Sequence, residues 1–148
     1  ADEPTTALDV TIQAQILKLM RELADEVKTS VMLITHDLGV VSEVCSRAVI
    51  FYCGQIVEEA KVEDLFKRPL HPYTEGLLKS LPKRGSNERL HVIPGSVPSP
   101  GHLPQGCVFN PRCPYATDKC RTEDPGYMQM GGGHCVKCWR YTGEVQHG

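Results

Sequence analysis

The sequence predicts an α/β fold followed by a loop-rich module that is rich in cysteine. Three observations predict this organisation. Helix and strand patterns alternate over residues 1–81, eight of the 11 prolines and 10 of the 13 glycines follow Leu81, and five of the seven cysteines lie in the last 42 residues. Regular secondary structure cannot dominate a segment so rich in proline and glycine. We therefore expect one domain over 1–81 and a second over 82–148, with the boundary at 82–86.

A long amphipathic helix is the first predicted element. Asp9 is a suitable N-cap, and the helix runs to about Val27. Its apolar residues recur every three or four positions, which predicts that one face is buried. They are Val10, Ile16, Leu17, Met20, Leu23, Ala24 and Val27. A compact apolar run over 30–35 predicts a strand, with His36 and Asp37 at its end.

The next stretch alternates short elements. Residues 39–45 predict a short helix and 47–52 a strand. A tight turn at Gly54-Gln55 then leads into a second strand from Ile56, and such a pair predicts a hairpin. Residues 62–66 predict a short helix ended by Pro69. Pro72 opens a further helix over 73–81, because proline suits the first turn of a helix.

Composition excludes several classes of protein. A hydrophobic content of 41% and a net charge of −2 are typical of an ordinary soluble protein. A nucleic-acid-binding domain is normally basic, so we expect no nucleic-acid partner. The apolar runs are strand-sized, far shorter than a membrane span, and no signal peptide opens the chain. Association with a membrane is therefore expected only through a partner.

The cysteines of the tail allow several readings. Disulfides and a metal or iron–sulfur site are the two general alternatives. Zinc sites usually show two close cysteine pairs, and only Cys135 and Cys138 have that spacing. Four spread cysteines suit an iron–sulfur cluster better, because several loops approach so large a group. Reduced structural thiols are the remaining alternative. Cys45 and Cys53 lie in apolar helix and strand sequence, where we expect core cysteines.

Three motifs carry a resemblance to a known family. Ala1-Asp2-Glu3-Pro4-Thr5-Thr6-Ala7-Leu8-Asp9, followed by Thr35-His36-Asp37, resembles the second half of an ABC-transporter ATPase, a P-loop NTPase, from the end of Walker B onwards. Pro69-Leu70-His71-Pro72-Tyr73-Thr74 resembles the segment that follows the ATPase core in dipeptide and oligopeptide importers. The resemblance therefore implies a partial ABC ATPase core, its carboxy-terminal half, in the ATP-binding subunit of a peptide importer.

The resemblance also implies roles for individual residues. Asp2 would assist Mg²⁺ and Glu3 would polarise the attacking water. Asp9 would communicate across an ATPase dimer, and His36 would contact the γ-phosphate of ATP. Implied partners are a second ATPase subunit, transmembrane permease subunits and, indirectly, an extracytoplasmic peptide-binding protein. The implied location is peripheral, on the cytoplasmic face of the cell membrane.

The tail of such importers implies a [4Fe–4S] cluster. The positions matching its ligands are Cys107, Cys113, Cys120 and Cys138, whereas Cys135 departs from the family pattern. Zinc is the alternative metal.

The printed sequence lacks other motifs of an ABC ATPase. It contains neither the phosphate loop Gly-x-x-x-x-Gly-Lys-Ser/Thr nor the Leu-Ser-Gly-Gly signature. The phosphate loop supplies most phosphate contacts. We therefore expect a carboxy-terminal fragment that does not hydrolyse ATP by itself. A non-catalytic iron–sulfur or zinc-binding module with a regulatory or structural role is the alternative function.

Overall fold

The chain folds into two units. A computed structural model describes residues 1–82 and 91–142. One unit comprises Ala1–Cys45 and the other Ser46–Gly148. Each is described by itself.

Two helices form the regular part of the first unit. Helix α1 spans Val10–Val27, and Oδ1 of Asp9 caps it by accepting from the backbone N–H groups of residues 11 and 12, both at 3.0 Å. It ends at Lys28, whose φ of 52° is left-handed. Helix α2 spans Leu38–Val44 and has Asp37 as its N-cap. Both predicted helices are confirmed. Each begins directly after an aspartate whose side chain accepts hydrogen bonds from free N–H groups of the first turn.

The predicted buried face of α1 is confirmed only in its middle. Leu17 is buried, and Ile16 and Met20 are half-buried. Val10 and Val27, at the two ends, are 84% and 65% exposed, so the prediction is wrong for them. Leu23 is 49% exposed, so the prediction is wrong for it as well.

The prediction of a strand over 30–35 is wrong. Only an isolated parallel bridge between Asp2 and Ile34 forms there. Its two hydrogen bonds run from Glu3 N to Ile34 O and from Ile34 N to Ala1 O, each 2.9 Å. Glu3 turns away with a φ of 45°, and Pro4 has no N–H to donate, so pairing stops after one bridge.

A β-hairpin begins the second unit, as predicted. Strand β1 spans Arg47–Tyr52 and strand β2 spans Gln55–Lys61, antiparallel, with a bulge between Ile50 and Phe51. Cys53 and Gly54 connect them with φ values of 48° and 76°. Two consecutive positive φ values are typical of the type I′ turn, whose twist matches that of the flanking strands.

Two short helices follow the hairpin. Helix α3 spans Val62–Lys67 and helix α4 spans Pro72–Lys79, with Pro72 in the first turn. Both predictions are confirmed, although α4 ends two residues earlier than expected. The hydroxyl of Ser80 donates to the carbonyl of Gly76 at 2.8 Å, which satisfies one of the free carbonyls at the helix end.

Short elements make up the described tail. They are the 3₁₀ turns Asn110–Arg112 and Trp139–Tyr141, helix α5 at Asp118–Thr122, and strands β3 at Met128–Gln129 and β4 at Cys135–Val136. Strand β4 pairs with β2, so one antiparallel sheet of order β1-β2-β4-β3 joins hairpin and tail. The boundary predicted at 82–86 falls mostly on residues 83–90, outside the described ranges, and it stays a prediction.

The core of this unit lies between the hairpin, α3 and the tail. Phe109 is 1% exposed, and its ring meets that of Tyr52 edge-on at 5.2 Å. The remaining core residues are Ile50, Val57, Ala60, Leu65 and Val108. Cys53 packs against this cluster but is only half-buried, and Cys45 is half-buried in the other unit. The expected core position is confirmed for Cys53 to the extent that it packs against the core cluster, and Cys45 is partly buried.

Candidate functional site

Glu3 and His36 form an ion pair on the surface of the first unit. Nδ1 of His36 lies 2.7 Å from Oε1 of Glu3, and the Thr6 hydroxyl donates to Oε2 of the same carboxylate. Hydrogen bonds from Thr6 and His36 hold the pKa of Glu3 below its usual value. The hydrogen bond with Glu3 raises the pKa of His36. Glu3 is therefore ionised at neutral pH and can orient a polar molecule. The structure thus brings the two predicted catalytic residues together.

The other two predicted nucleotide-site residues lie apart from this pair. Asp2 takes part in the single bridge to Ile34. The carboxylate of Asp9 accepts from the first N–H groups of α1. That contact is the structural role of an N-cap, and it accounts for an aspartate at this position. Roles for Asp2 and Asp9 toward a nucleotide stay predictions.

A small cavity in the second unit brings the four predicted cluster cysteines together. Cys107, Cys113, Cys120 and Cys138 all line it. Its other lining residues are His71, Pro72, Phe109, Asn110, Tyr115, Trp139 and Arg140. Cys135 lies elsewhere, in β4, opposite Glu59 of β2. The cavity lining therefore includes the four cysteines that match the family pattern and does not include Cys135, which departs from that pattern.

Local geometry holds the cysteine loops against each other. Gly106 has a φ of 73°, and a Cβ there would lie 2.5 Å from the carbonyl oxygen of Cys120. The next N–H, that of Cys107, donates to the same oxygen at 2.8 Å. Only glycine allows this approach, so Gly106 positions Cys107 beside Cys120. Nε1 of Trp139 donates to the carbonyl of Glu123 at 3.1 Å and fixes the last loop beside the end of α5.

Each of the four sulfurs faces a hydrogen-bond donor. The N–H groups two residues further along the chain face Cys107, Cys113 and Cys138, and they belong to Phe109, Tyr115 and Arg140. The hydroxyl of Thr117 lies 3.3 Å from Sγ of Cys120. Donors aimed at sulfur stabilise a thiolate more than a neutral thiol.

Burial opposes ionisation of these thiols in the free protein. Burial raises the pKa of Cys107, raises that of Cys113 to about 11 and raises that of Cys138 to about 12. In each case the hydrogen bond from the neighbouring N–H lowers the pKa but is the smaller effect. Cys107, Cys113 and Cys138 are therefore neutral thiols at neutral pH. A bound metal would displace these protons, because only the thiolate is a good ligand.

The arrangement is not that of a ready single-ion site. Within 1–82 and 91–142, no three side chains of His, Cys, Asp or Glu converge closely enough to hold one metal ion. The free space between the thiols is about 20 Å³, roughly the room of one water molecule. A zinc ion needs all its sulfurs at about 2.3 Å from one point, which these thiols do not offer. The four thiols are donors of the type that an iron–sulfur cluster uses, but the space between them is no larger than about one water molecule.

A buried carboxylate accepts a hydrogen bond from the backbone of His71, which lines the cavity. Glu58 is fully buried, and its Oε1 and Oε2 accept from the N–H groups of Leu70 at 2.7 Å and His71 at 2.9 Å. His134, 3% exposed, places Nε2 2.7 Å from Oε1 of the same carboxylate. Sequence reasoning missed Glu58 and His134. Glu58 stands beside a second glutamate in a strand that also has polar ends, so no signal in the sequence singles it out.

No helix in the two described ranges has both the length and the apolar character needed to cross a membrane.

The sequence matches a known family model and many characterised relatives. Residues 57–120 match the model described as the oligopeptide/dipeptide transporter C-terminal region. The match runs from β2 to Cys120 and includes three of the four cavity cysteines.

Among the similar proteins is the oligopeptide transport ATP-binding protein AppD of Bacillus subtilis, 58% identical over 145 residues, which are 97% of this chain and 44% of the relative. The dipeptide transport ATP-binding protein DppD of Escherichia coli is 49% identical over 139 residues, 93% of this chain and 42% of the relative. A probable peptide ABC transporter ATP-binding protein of Sinorhizobium fredii is 55% identical over 142 residues, covering 95% and 42%. The chain thus spans less than half the length of these relatives. On these matches the chain belongs to the family of peptide ABC transporter ATP-binding proteins, in which it corresponds to the carboxy-terminal region.

Proposed function

We propose that this chain works as part of an ATP-hydrolysing subunit that powers peptide import through a membrane ABC transporter. The observation that carries the proposal is the pairing of Glu3 with His36. Hydrolysis of ATP needs a group that orients water and a group that contacts the γ-phosphate, next to each other. Glu3 has the ionised carboxylate for the first role, and His36 supplies an imidazole for the second.

The assembly follows from the same proposal. ATP and Mg²⁺ are the cofactors, with Asp2 assisting the metal. The partners are a second ATPase subunit, the permease subunits and, through them, an extracytoplasmic peptide-binding protein. The subunit works at the cytoplasmic face of the membrane. This assignment is supported by relatives whose names describe oligopeptide and dipeptide transport.

The test uses a full-length protein that contains this chain. Glu3→Gln is expected to leave ATP binding near normal and to lower turnover by orders of magnitude, because the residue orients water rather than phosphate. Glu22→Gln is the matched control, since Glu22 is an exposed residue of α1 whose contact is Lys18 at 3.7 Å. Turnover near the parental rate in Glu3→Gln would exclude the role given to Glu3. The chain of 148 residues alone is expected to show no sub-micromolar affinity for ATP in calorimetry.

A second proposal concerns the four-cysteine cavity. We propose that Cys107, Cys113, Cys120 and Cys138 hold a [4Fe–4S] cluster. The proposal is supported by the position of the four thiols around one cavity, each next to an N–H or O–H donor, because hydrogen bonds to sulfur stabilise thiolate ligands. Cys107, Cys113, Cys120 and Cys138 would hold such a cluster through their sulfurs, and a bound cluster would cross-link the loops that carry them.

Metal analysis decides between the alternatives. The chain purified without oxygen is expected to be brown and to contain about four iron atoms with matching sulfide. A colourless protein with one tightly bound zinc would support the zinc module instead. A metal-free protein whose tail resists proteolysis equally well would leave reduced structural thiols as the explanation.

A further inference from the structure

Thr6 is a third side chain at the pair formed by Glu3 and His36. Its hydroxyl donates to Oε2 of Glu3, whereas Nδ1 of His36 lies 2.7 Å from Oε1. Each oxygen of the carboxylate thus has a partner of its own. A carboxylate held at both oxygens cannot rotate about its last bond without breaking one of these contacts. Thr6 and His36 together therefore fix the plane of the carboxylate.

A tight turn places Thr6 beside Glu3. The backbone N–H of Thr6 donates to the carbonyl of Glu3 at 3.2 Å, which closes a turn over residues 3–6. Pro4 is the second residue of this turn, a position that suits proline because its ring sets φ in advance. The N–H of Leu8 then donates to the carbonyl of Thr5 at 3.2 Å in a further turn. The backbone itself therefore brings the hydroxyl within reach of the carboxylate.

The side chain of Thr6 suits the task of holding a carboxylate. Branching at Cβ restricts its first torsion, so the hydroxyl samples few positions. An ionised carboxylate has about four acceptor positions, and Thr6 and His36 each use one of them. The carboxylate of Glu3 is therefore fixed in its plane and still able to accept from a water molecule.

We propose that Thr6 is a positioning residue for the hydrolysis of ATP, whose hydroxyl holds the carboxylate of Glu3 in the orientation that directs the attacking water. The inference rests on the function proposed above for Glu3. Reaction requires the water and its target to be about 3–3.5 Å apart and aligned, and a carboxylate that rotates freely meets this condition less often. Thr6 acts through Glu3 and has no contact of its own to make with ATP.

A purely structural role for Thr6 is the alternative. In that role the hydroxyl would only stabilise the turn over residues 3–6. The turn is already closed by the backbone hydrogen bond between Thr6 and Glu3, and Thr6 is exposed, so its side chain adds little burial. These observations favour a role of the hydroxyl at the carboxylate.

Variants of a full-length protein that contains this chain test the proposal. Thr6→Val keeps the branched shape of the side chain and removes the hydroxyl, whereas Thr6→Ser keeps the hydroxyl. Thr11→Val is the matched control, because Thr11 is an exposed threonine of α1 that contributes to the cap only a backbone N–H, which valine also has. The kcat, the KM for ATP and the urea midpoint are measured for each protein.

The expected change is in kcat alone. Thr6→Val should lower kcat about tenfold and leave the KM for ATP near the parental value, because orientation is disturbed and phosphate binding is not. Thr6→Ser should regain most of the parental kcat, and Thr11→Val should keep it. Should Thr6→Val fail to fold, Thr6→Ala removes the same hydroxyl and carries the same expectation. A parental kcat in a folded variant that lacks the hydroxyl would overturn the proposal.

A double variant separates positioning from structure. In a Glu3→Gln protein, Thr6→Val should leave the residual turnover unchanged, because Thr6 acts through a carboxylate that is already absent. A tenfold loss that persists in the Glu3→Gln protein would overturn the proposal. Parental turnover in Glu3→Gln alone would overturn the role of Glu3 as well, and it is recognised before Thr6 is changed.

Discussion

Nδ1 of His36 lies 2.7 Å from Oε1 of Glu3, although the two residues are 33 positions apart in the chain. The bridge between Asp2 and Ile34 explains the contact. Because the two segments run parallel there, Glu3 lies one residue and His36 two residues beyond the bridge, at the same end of it. A single bridge is therefore enough to place a carboxylate and an imidazole in contact.

We expect the imidazole of His36 to titrate above 6.5, because protonation is favoured by the hydrogen bond to Glu3. Nuclear magnetic resonance of the ring protons against pH measures this directly. Glu3→Gln should return the midpoint toward 6.5, and Glu22→Gln should not. A midpoint that is equal in the parental and Glu3→Gln chains would contradict the ion pair.

The same pair has a defined pH window. The raised pKa of His36 means that its contribution to stability is complete below 6.5 and is lost as pH rises through the folded value. The lowered pKa of Glu3 means that its contribution is complete above 4.5 and is lost as pH falls through the folded value. The pair therefore stabilises the fold most between pH 4.5 and 6.5.

Serine substitutions test the ligands of the cavity one at a time. Serine at Cys107, Cys113, Cys120 or Cys138 is expected to abolish the brown colour, since each supplies one thiolate. Serine at Cys135 is the closest control, because that residue lies in β4 outside the cavity lining, and Cys45 and Cys53 give two more. Iron content per chain is the readout. Loss of iron in Cys135→Ser with retention in Cys138→Ser would reverse the ligand assignment.

Gly106→Ala tests whether glycine is needed to bring two cysteine loops together. The new Cβ would meet the carbonyl of Cys120 at 2.5 Å in a backbone conformation that side chains rarely adopt. We expect a loss of ~2 kcal/mol in the free energy of unfolding, and lower iron retention. Gly101→Ala is the matched control, because its Cβ would have no neighbour within 4 Å, and it should change stability by less than about 0.5 kcal/mol. Equal urea midpoints for the two variants would show that the close approach has no structural importance.

Glu58→Ala tests the buried carboxylate. The substitution leaves two backbone N–H groups and His134 without their acceptor, so we expect a loss of ~3–5 kcal/mol in the free energy of unfolding. Glu58→Gln keeps one acceptor oxygen and should lose less. Glu63→Ala removes an exposed acidic residue from the first turn of α3 and should cost about 0.5 kcal/mol. A Glu58→Ala chain no less stable than Glu63→Ala would refute the network.

The sequence alone determined the elements whose signals are local. Asp9 marked the start of α1, Gly54 marked the hairpin turn, and Pro72 marked the start of α4. Each signal acts within a few residues, through a side-chain cap, a positive φ or a missing N–H, so it is readable without knowledge of the partner. The resemblance to the tail of peptide importers also indicated which four cysteines would line one cavity.

Tertiary structure decided every feature that depends on a distant partner. The apolar run over 30–35 has the composition of a strand, but pairing ends at Ile34 because Glu3 and Pro4 stop the neighbouring segment. In the sequence Glu58 is one of several polar residues in β2. Only the structure shows that its carboxylate forms hydrogen bonds with Leu70, His71 and His134.

The cavity shows the same division between sequence and structure. Composition gave the tail little apolar content, yet Phe109 packs on the hairpin core and turns its loop so that Cys107 and Cys113 border one space with His71. The sequence shows which donors and apolar groups are present. Only the folded chain determines which of them line the same cavity, because burial and hydrogen bonding depend on residues that lie far apart in the sequence.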